Sequence, residues 1–222
     1  MTVAHFLHAS VDMPRIPLIR TAEHPYHVTA RTNNKEAFPI PLVGCWKIFE
    51  KLLAEVSGEK NLVIHAFVLM PNHFHMLVST PRKNLDEGLH YLMTKSSKRI
   101  NFCAERINRL YGGRYRWCLV NSEEYYANAL RYVFQNPLRS RLAIKVQEYP
   151  WSSLVQRSPW IRNCESHNGY IPESNAQRSL WLNKIYGDDS AEFIRKALRR
   201  QIYKHPRSKS SKRQIPNLIQ PL

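Results

Sequence analysis

Runs of apolar residues at period two, interleaved with runs at period 3.6, divide the first two thirds of the chain into seven elements. The stretch "YHVTART" at 26–32 is β-branched and bounded by turn residues, which predicts a strand, and "PLVGCWKIFEKLLAEVS" at 41–57 has helical spacing. "NLVIHAFVLM" at 61–70 and "HFHMLVS" at 73–79 read as two strands joined through Pro71-Asn72, hence a β-hairpin. From Asn84, an N-cap before Leu85, to the Gly112-Gly113 stop, the pattern predicts one long helix whose buried stripe is Leu85, Leu89, Leu92, Ile100, Cys103, Ile107 and Leu110. "RYRWCLV" at 114–120 follows as a strand, and "SEEYYANALRYVFQ" at 122–135 as a helix halted by Pro137. The order β-α-β-β-α-β-α predicts an α+β fold of the ferredoxin-like, RRM-like split βαβ type: an antiparallel sheet with helices on one face.

Beyond about 149 the pattern loosens into a segment rich in Pro, Ser and Trp, then one more amphipathic helix beginning near Asp189. The division is a core over 20–148 and a C-terminal extension over 149–222. From Arg195 to Arg213 the chain carries nine basic residues and no acid: Arg195, Lys196, Arg199, Arg200, Lys204, Arg207, Lys209, Lys212 and Arg213. The whole chain of 222 residues has 33 Lys plus Arg against 17 Asp plus Glu, a net charge of +16. A surplus of that size favours a polyanionic partner, nucleic acid first. No apolar run reaches the ~18 residues of a spanning helix, and the first residues lack the pattern of a signal peptide, so the expectation is a cytoplasmic protein without a membrane partner. Cys45, Cys103, Cys118 and Cys164 have neither zinc-site nor redox spacing and are expected as reduced, mostly packed thiols.

The stretch "VLMPNHFHMLV" at 68–78 sets two histidines into a run that otherwise reads as buried strand. Side chains alternate along a strand, so His73 and His75 share one face ~7 Å apart along the backbone, while Phe74, Met76 and Val78 take the other. Two imidazoles so placed can share one ion. His65 on the neighbouring strand is a conceivable third ligand, but its spacing fits a packed or edge histidine better. On the last helix of the core, Tyr126, Ala129, Leu130, Val133 and Phe134 form the apolar stripe, and Tyr132 and Asn136 lie outside it. Being four apart, these two stack on one flank, at the expected margin between packed face and solvent. Tyr125 lies on the same flank and is the rival hydroxyl, although its neighbour one turn on is Ala129. On the long helix Lys95, Lys98, Arg99, Arg106 and Arg109 form a basic stripe that includes Phe102, either a packing contact or a platform for base stacking. Arg114 and Arg116 alternate onto one face of the following strand and extend the set of phosphate contacts, with solvated surface charge as the alternative.

"VLMPNHFHMLV" followed by "RYVFQNPLRSRL" resembles the REP-associated tyrosine transposases, relatives of the single-tyrosine HUH transposases of small bacterial insertion sequences. "YHVTARTNN", "GRYR" and "YPWSS" agree too, so the resemblance spans 26–153; Thr32, Trp117 and Ser140-Arg141 depart from the usual pattern. The resemblance implies that His73 and His75 bind a metal, that Asn136 completes its shell, and that Tyr132 is the nucleophile. A hard carbonyl oxygen with vacant positions suits Mg²⁺ or Mn²⁺ better than structural zinc. The implied reaction is cutting and rejoining of single-stranded or hairpin DNA through a 5′-phosphotyrosine, with repetitive extragenic palindromes as substrate. Monomer and homodimer are both compatible with the sequence. The rival reading is a non-catalytic RNA- or single-strand-binding module, since the RNA-recognition fold has the same element order.

Overall fold

The computed structural model describes residues 17–156, 158–161 and 169–204. Within them the chain forms β1 (Tyr26–Arg31), α1 (Leu42–Gly58), β2 (Val63–Met70), β3 (His73–Ser79), α2 (Leu85–Cys103), β4 (Arg116–Leu119), α3 (Glu123–Arg139), α4 (Asn175–Asn183) and α5 (Asp188–Ala197). The four strands make one antiparallel sheet in the order β2-β3-β1-β4. This is the expected α+β, split βαβ arrangement.

Strand alternation gives the sheet two apolar faces. Tyr26, Val28 and Ala30 of β1, with Phe74, Met76 and Val78 of β3, join Trp46, Phe49, Leu52 and Leu53 of α1 and Leu85, Leu89 and Leu92 of α2 in one core. The opposite parity, Ala66, Val68, Met70, Leu77 and Cys118, packs under Tyr126, Ala129, Leu130 and Val133 of α3. The two crossover helices therefore share one face as expected, and α3 covers the other. A bulge between Ile64 and Ala66 makes His65 the extra residue, which switches the phase of β2 so that Ile64 and Phe67 both reach the first core. An RNA-recognition module leaves one sheet face bare for stacked bases, and here that face lies beneath a helix.

Several sequence expectations are corrected. The long helix ends at Cys103, nine residues before Gly112. Glu105 takes a left-handed φ of 52°, with the Glu105 N–H donating to Phe102 O at 3.3 Å and the Arg106 N–H to Asn101 O at 2.9 Å. That pair of bonds is a Schellman stop with Glu in place of the usual Gly. In consequence Cys103 and Ile107 leave the predicted stripe and are exposed, Ile107 fully, while Leu110 stays buried. Asn84 precedes α2 but does not cap it; its side chain donates to Lys60 O at 2.9 Å. Helix α3 continues through Pro137 to Arg139. Helix α4, started by the Ser174 hydroxyl accepting from the Gln177 N–H, falls in a segment read as irregular. Cys164, Arg207, Lys209, Lys212 and Arg213 lie outside the described residues.

The largest departure concerns the C-terminal segment. Tyr149, Ile171, Leu182, Tyr186, Ala191, Ile194 and Tyr203 belong to the second core, so α3 is enclosed. The Leu119 N–H donates to Gln201 O at 2.7 Å and the Tyr203 N–H to Leu119 O at 2.8 Å, a parallel bridge that extends the sheet beyond β4. Tyr203 is fully buried and stacks on Tyr125 with ring centroids 4.5 Å apart. A chain ending at Arg200 should be about 3–5 kcal/mol less stable than one ending at Lys204, because it lacks a buried aromatic and two edge hydrogen bonds. Urea unfolding of the two truncations measures the difference.

Candidate active site

The β1–β3 register assembles the site. Antiparallel pairing sets Arg31 opposite His73, Thr29 opposite His75 and His27 opposite Leu77, so all six project from one face. His73 and His75 lie with ring centroids 5.0 Å apart, on the same side as expected. His27 joins them, its ring near-parallel to that of His75 with centroids 5.2 Å apart and its Nε2 at 3.0 Å from His75 Nδ1. From α3 the Tyr132 ring meets both edge-on, at 5.7 Å from His75 and 5.8 Å from His27.

Asn136 sits one helical turn after Tyr132. Its Nδ2 donates to Tyr132 O at 2.8 Å and to Val133 O at 3.4 Å. Both partners are carbonyls, so the amide nitrogen is assigned by its acceptors and Oδ1 is left as an acceptor atom. Tyr132 and Asn136 are 7% and 8% exposed. The expected position at a solvent margin is therefore corrected: the C-terminal segment covers the flank of α3 that a core ending near 148 would leave open.

Burial sets the protonation of the site. It lowers His27 to about 3 and His73 to about 4, the latter with help from the Arg31 charge, and it holds His75 well below the ordinary imidazole value. All three are neutral at neutral pH, the form whose lone pair can bind a cation. Burial pushes the Tyr132 phenol up, while the positive charges of Arg139, Arg195, Arg199 and Arg31 pull against it. The Arg139 guanidinium stands 5.6 Å from the centre of the Tyr132 ring.

The donor set fits a divalent cation at the level of single atoms. Asn72 Nδ2 donates to Lys35 O at 2.6 Å, which turns its Oδ1 toward His73 Nδ1, also at 2.6 Å. An amide oxygen only accepts, so His73 carries its proton on Nδ1 and keeps the Nε2 lone pair free. Histidines that bind metals characteristically show this outer hydrogen bond. Among the described residues no group of three or more His, Cys, Asp or Glu side chains is arranged to hold a metal.

The remaining sequence candidates are distributed differently. His65 bonds Ser79 Oγ at 2.8 Å and meets the Tyr126 ring, and belongs with neither His73 nor His75. Lys95, Lys98 and Arg99 lie on α2, in the layer opposite the histidines; Arg99 pairs with Glu55 at 3.3 Å, and Lys95 stands 5.5 Å over the Tyr91 ring. Phe102 is 86% exposed, which excludes the packing role. Arg106, past the helix end, approaches Glu36 at 4.0 Å. The loop that follows is tied to the end of β1, with the Asn33 N–H donating to Leu110 O and the Gly112 N–H to Arg31 O. It therefore runs beside the His73 end of the sheet. Arg116 pairs with Thr29 and faces the same side as His75, and Arg114 is exposed beside the Tyr115 ring. Sequence reasoning missed His27, Arg31 and Arg139. The period-two phase of "HVTAR" held a signal for the first two, since it puts His27, Thr29 and Arg31 on one face.

No helix among the described residues is long and apolar enough to cross a membrane. No curated protein matches the sequence. Among solved structures, that of a REP-associated tyrosine transposase bound to a REP hairpin superposes with a TM-score of 0.55 at 13% identity, covering 70% of this chain and 94% of its own. At that identity the likeness speaks for the fold. A chain assigned as a transposase of Deinococcus radiodurans R1 is 19% identical, with a TM-score of 0.37, and covers 55% of this chain and 94% of its own. Residues 21–136 match the model of the family described as "Transposase IS200 like". That match takes in the whole sheet together with His27, His73, His75, Tyr132 and Asn136, and on it this chain belongs to the IS200-like transposases.

Proposed function

We propose that the protein is a metal-dependent strand transferase that cuts and rejoins single-stranded or hairpin DNA through a 5′-phosphotyrosine on Tyr132. The observation that carries this reading is the His75 ring meeting His73 on its strand and Tyr132 on α3, with Asn136 one turn along the same helix. His73, His75 and Asn136 would hold Mg²⁺ or Mn²⁺. When bound, such an ion neutralises charge on the scissile phosphate and polarises it toward attack. Tyr132 Oη forms the new bond to phosphorus as the bond to the 3′-oxygen breaks. The phenol gives up its proton and the leaving 3′-oxygen gains one. Transfer to tyrosine rather than to water keeps a reactive phosphodiester, so rejoining needs no further energy source.

The arginines around the phenol have a role consistent with this chemistry. Arg31, Arg139, Arg195 and Arg199 favour the tyrosinate and a phosphate anion alike, which offsets the burial that keeps the phenol protonated. Arg116, Arg114, Arg106 and Phe102 would carry the strand away from the site, with Phe102 as a stacking platform. Lys95, Lys98 and Arg99 would meet phosphates of a longer or folded substrate from the opposite layer. The solved relative bound to a REP hairpin supports a hairpin as the substrate form, and repetitive extragenic palindromes as its source.

Incubation with a labelled hairpin and Mn²⁺ should yield a protein–DNA adduct that survives denaturation. Tyr132→Phe should abolish it while binding persists, because the change removes one oxygen and little volume. Tyr125→Phe is the control, since Tyr125 packs on Tyr203 away from the histidines. An adduct that persists in Tyr132→Phe and vanishes in Tyr125→Phe would reassign the nucleophile. EDTA should abolish cleavage, Mg²⁺ or Mn²⁺ should restore it, and the double change His73→Ala, His75→Ala should remove Mn²⁺ binding; cleavage undiminished in chelator would remove the metal. Deleting the chain after Lys204 should flatten the salt dependence of binding, by about 0.7 in the slope of log K against log salt for each lost phosphate contact on single strands. Titration at several salt concentrations reads that slope.

A further inference from the structure

His27 is nearly inaccessible, buried in the same polar spot as His75, and the chemistry above does not use it. Its Nε2 lies 3.0 Å from His75 Nδ1, with the ring planes within 23° of parallel. Between two neutral imidazoles such a contact can hold one proton, in one of two directions. If His27 donates, His75 keeps its own proton on Nε2 and has no lone pair there. If His75 donates from Nδ1, its Nε2 is bare. The neighbouring histidine supplies the comparison: the bond to Asn72 forces His73 into the Nδ1–H form, with its Nε2 unprotonated. In either direction His75 Nδ1 is committed to His27, so only its Nε2 is left to serve a cation beside that of His73.

We infer that His27 is a positioning residue: its Nε2 accepts the His75 Nδ1–H and so fixes His75 in the tautomer that presents Nε2 beside that of His73. His27 touches neither substrate nor cation in this arrangement and acts only through His75. The inference rests on the metal reading above for its consequence, but the tautomer itself is a property of the protein alone.

Both are measurable without catalysis. In the wild-type chain, ¹⁵N-labelled on histidine and free of metal at neutral pH, the His75 ring should show a protonated Nδ1 and an unprotonated, pyridine-like Nε2. The His75 signals are assigned by their loss in His75→Gln. His27→Phe keeps a ring and removes the acceptor, so the His75 proton should redistribute toward Nε2 and the affinity for Mn²⁺ alone, read by calorimetry, should fall about 10–100-fold. His27→Gln places an amide oxygen at similar reach and should recover part of both. A wild-type His75 protonated on Nε2, or a tautomer unchanged in His27→Phe, overturns the inference. Should His27→Phe fail to fold, the wild-type tautomer and the His27→Gln variant decide it. Wild-type protein that shows the expected tautomer and binds no Mn²⁺ would sink the metal reading and leave the positioning role standing.

Discussion

The pairing of β1 with β3 is the constraint on which the site depends. A slip of one residue in an antiparallel pair moves every side chain of a strand to the other face. Here Tyr26, Val28 and Ala30 of β1 are held in the first core beside Phe74, Met76 and Val78 of β3, all within 3% of complete burial. Exposing any one of the larger members costs about 1.5–3 kcal/mol, so their sum fixes the register by a wide margin. The polar face has no comparable apolar stake. His27, Thr29 and Arg31 come to lie across from Leu77, His75 and His73 because the apolar residues behind them cannot be anywhere else.

A cluster of neutral imidazoles on a sheet would be ordinary surface if nothing covered it. Helix α3 and the C-terminal segment do so, and the second of these is docked through polar as well as apolar chemistry. Asn128, Arg131 and Gln135 form a row along α3. The Asn128 side-chain oxygen accepts from Tyr186 Oη at 2.9 Å, Gln135 Nε2 donates to Leu182 O and Lys184 O, and the Arg131 guanidinium donates to Lys184 O while packing 4.0 Å from the centre of the Tyr186 ring. Burying such groups is costly unless they are paired; each pairs through one atom with the C-terminal segment, while Asn128 Nδ2, Arg131 Nε and Gln135 Oε1 have no hydrogen-bond partner, and the bonds that are made favour one docking geometry. That geometry carries Arg195 and Arg199 to where their charge reaches the Tyr132 phenol. The electrostatics of the tyrosine thus depend on a segment some sixty residues further along the chain.

The parts of this arrangement that were legible in the sequence are those set by local periodicity. The hairpin, the shared face of His73 and His75, and the four-residue step from Tyr132 to Asn136 all follow from strand or helix geometry alone. What was hidden depends on distant partners. His27 becomes a neighbour of His75 only through a register between strands 48 residues apart. Tyr132 looked marginal because a helix with one apolar stripe normally has a wet side, and the amphipathic pattern read near Asp189 does not say that its apolar face packs on α3. The end of α2 was misjudged because its left-handed stop uses Glu105, whereas the glycine pair that draws the eye comes later.

The "QNP" of α3 shows how a residue that seems to break a helix can be part of the site. Proline at 137 has no N–H for the carbonyl of Val133, a loss that in a helix interior costs about 3 kcal/mol together with the ring clash. The residue before it supplies a substitute: Asn136 Nδ2 lies 3.4 Å from Val133 O and 2.8 Å from Tyr132 O, and the helix carries on to Arg139. A leucine at 136 would leave the Val133 carbonyl unanswered in a buried setting. Glutamine, one methylene longer, would not return to it by the same path. The same bonds that repair the helix commit the amide nitrogen to the backbone, and an amide with its nitrogen committed has only its oxygen to offer. The proline therefore accounts for why the side chain one turn beyond Tyr132 presents an oxygen donor of fixed identity, the donor that the proposed site for a hard divalent ion would use beside its two imidazoles.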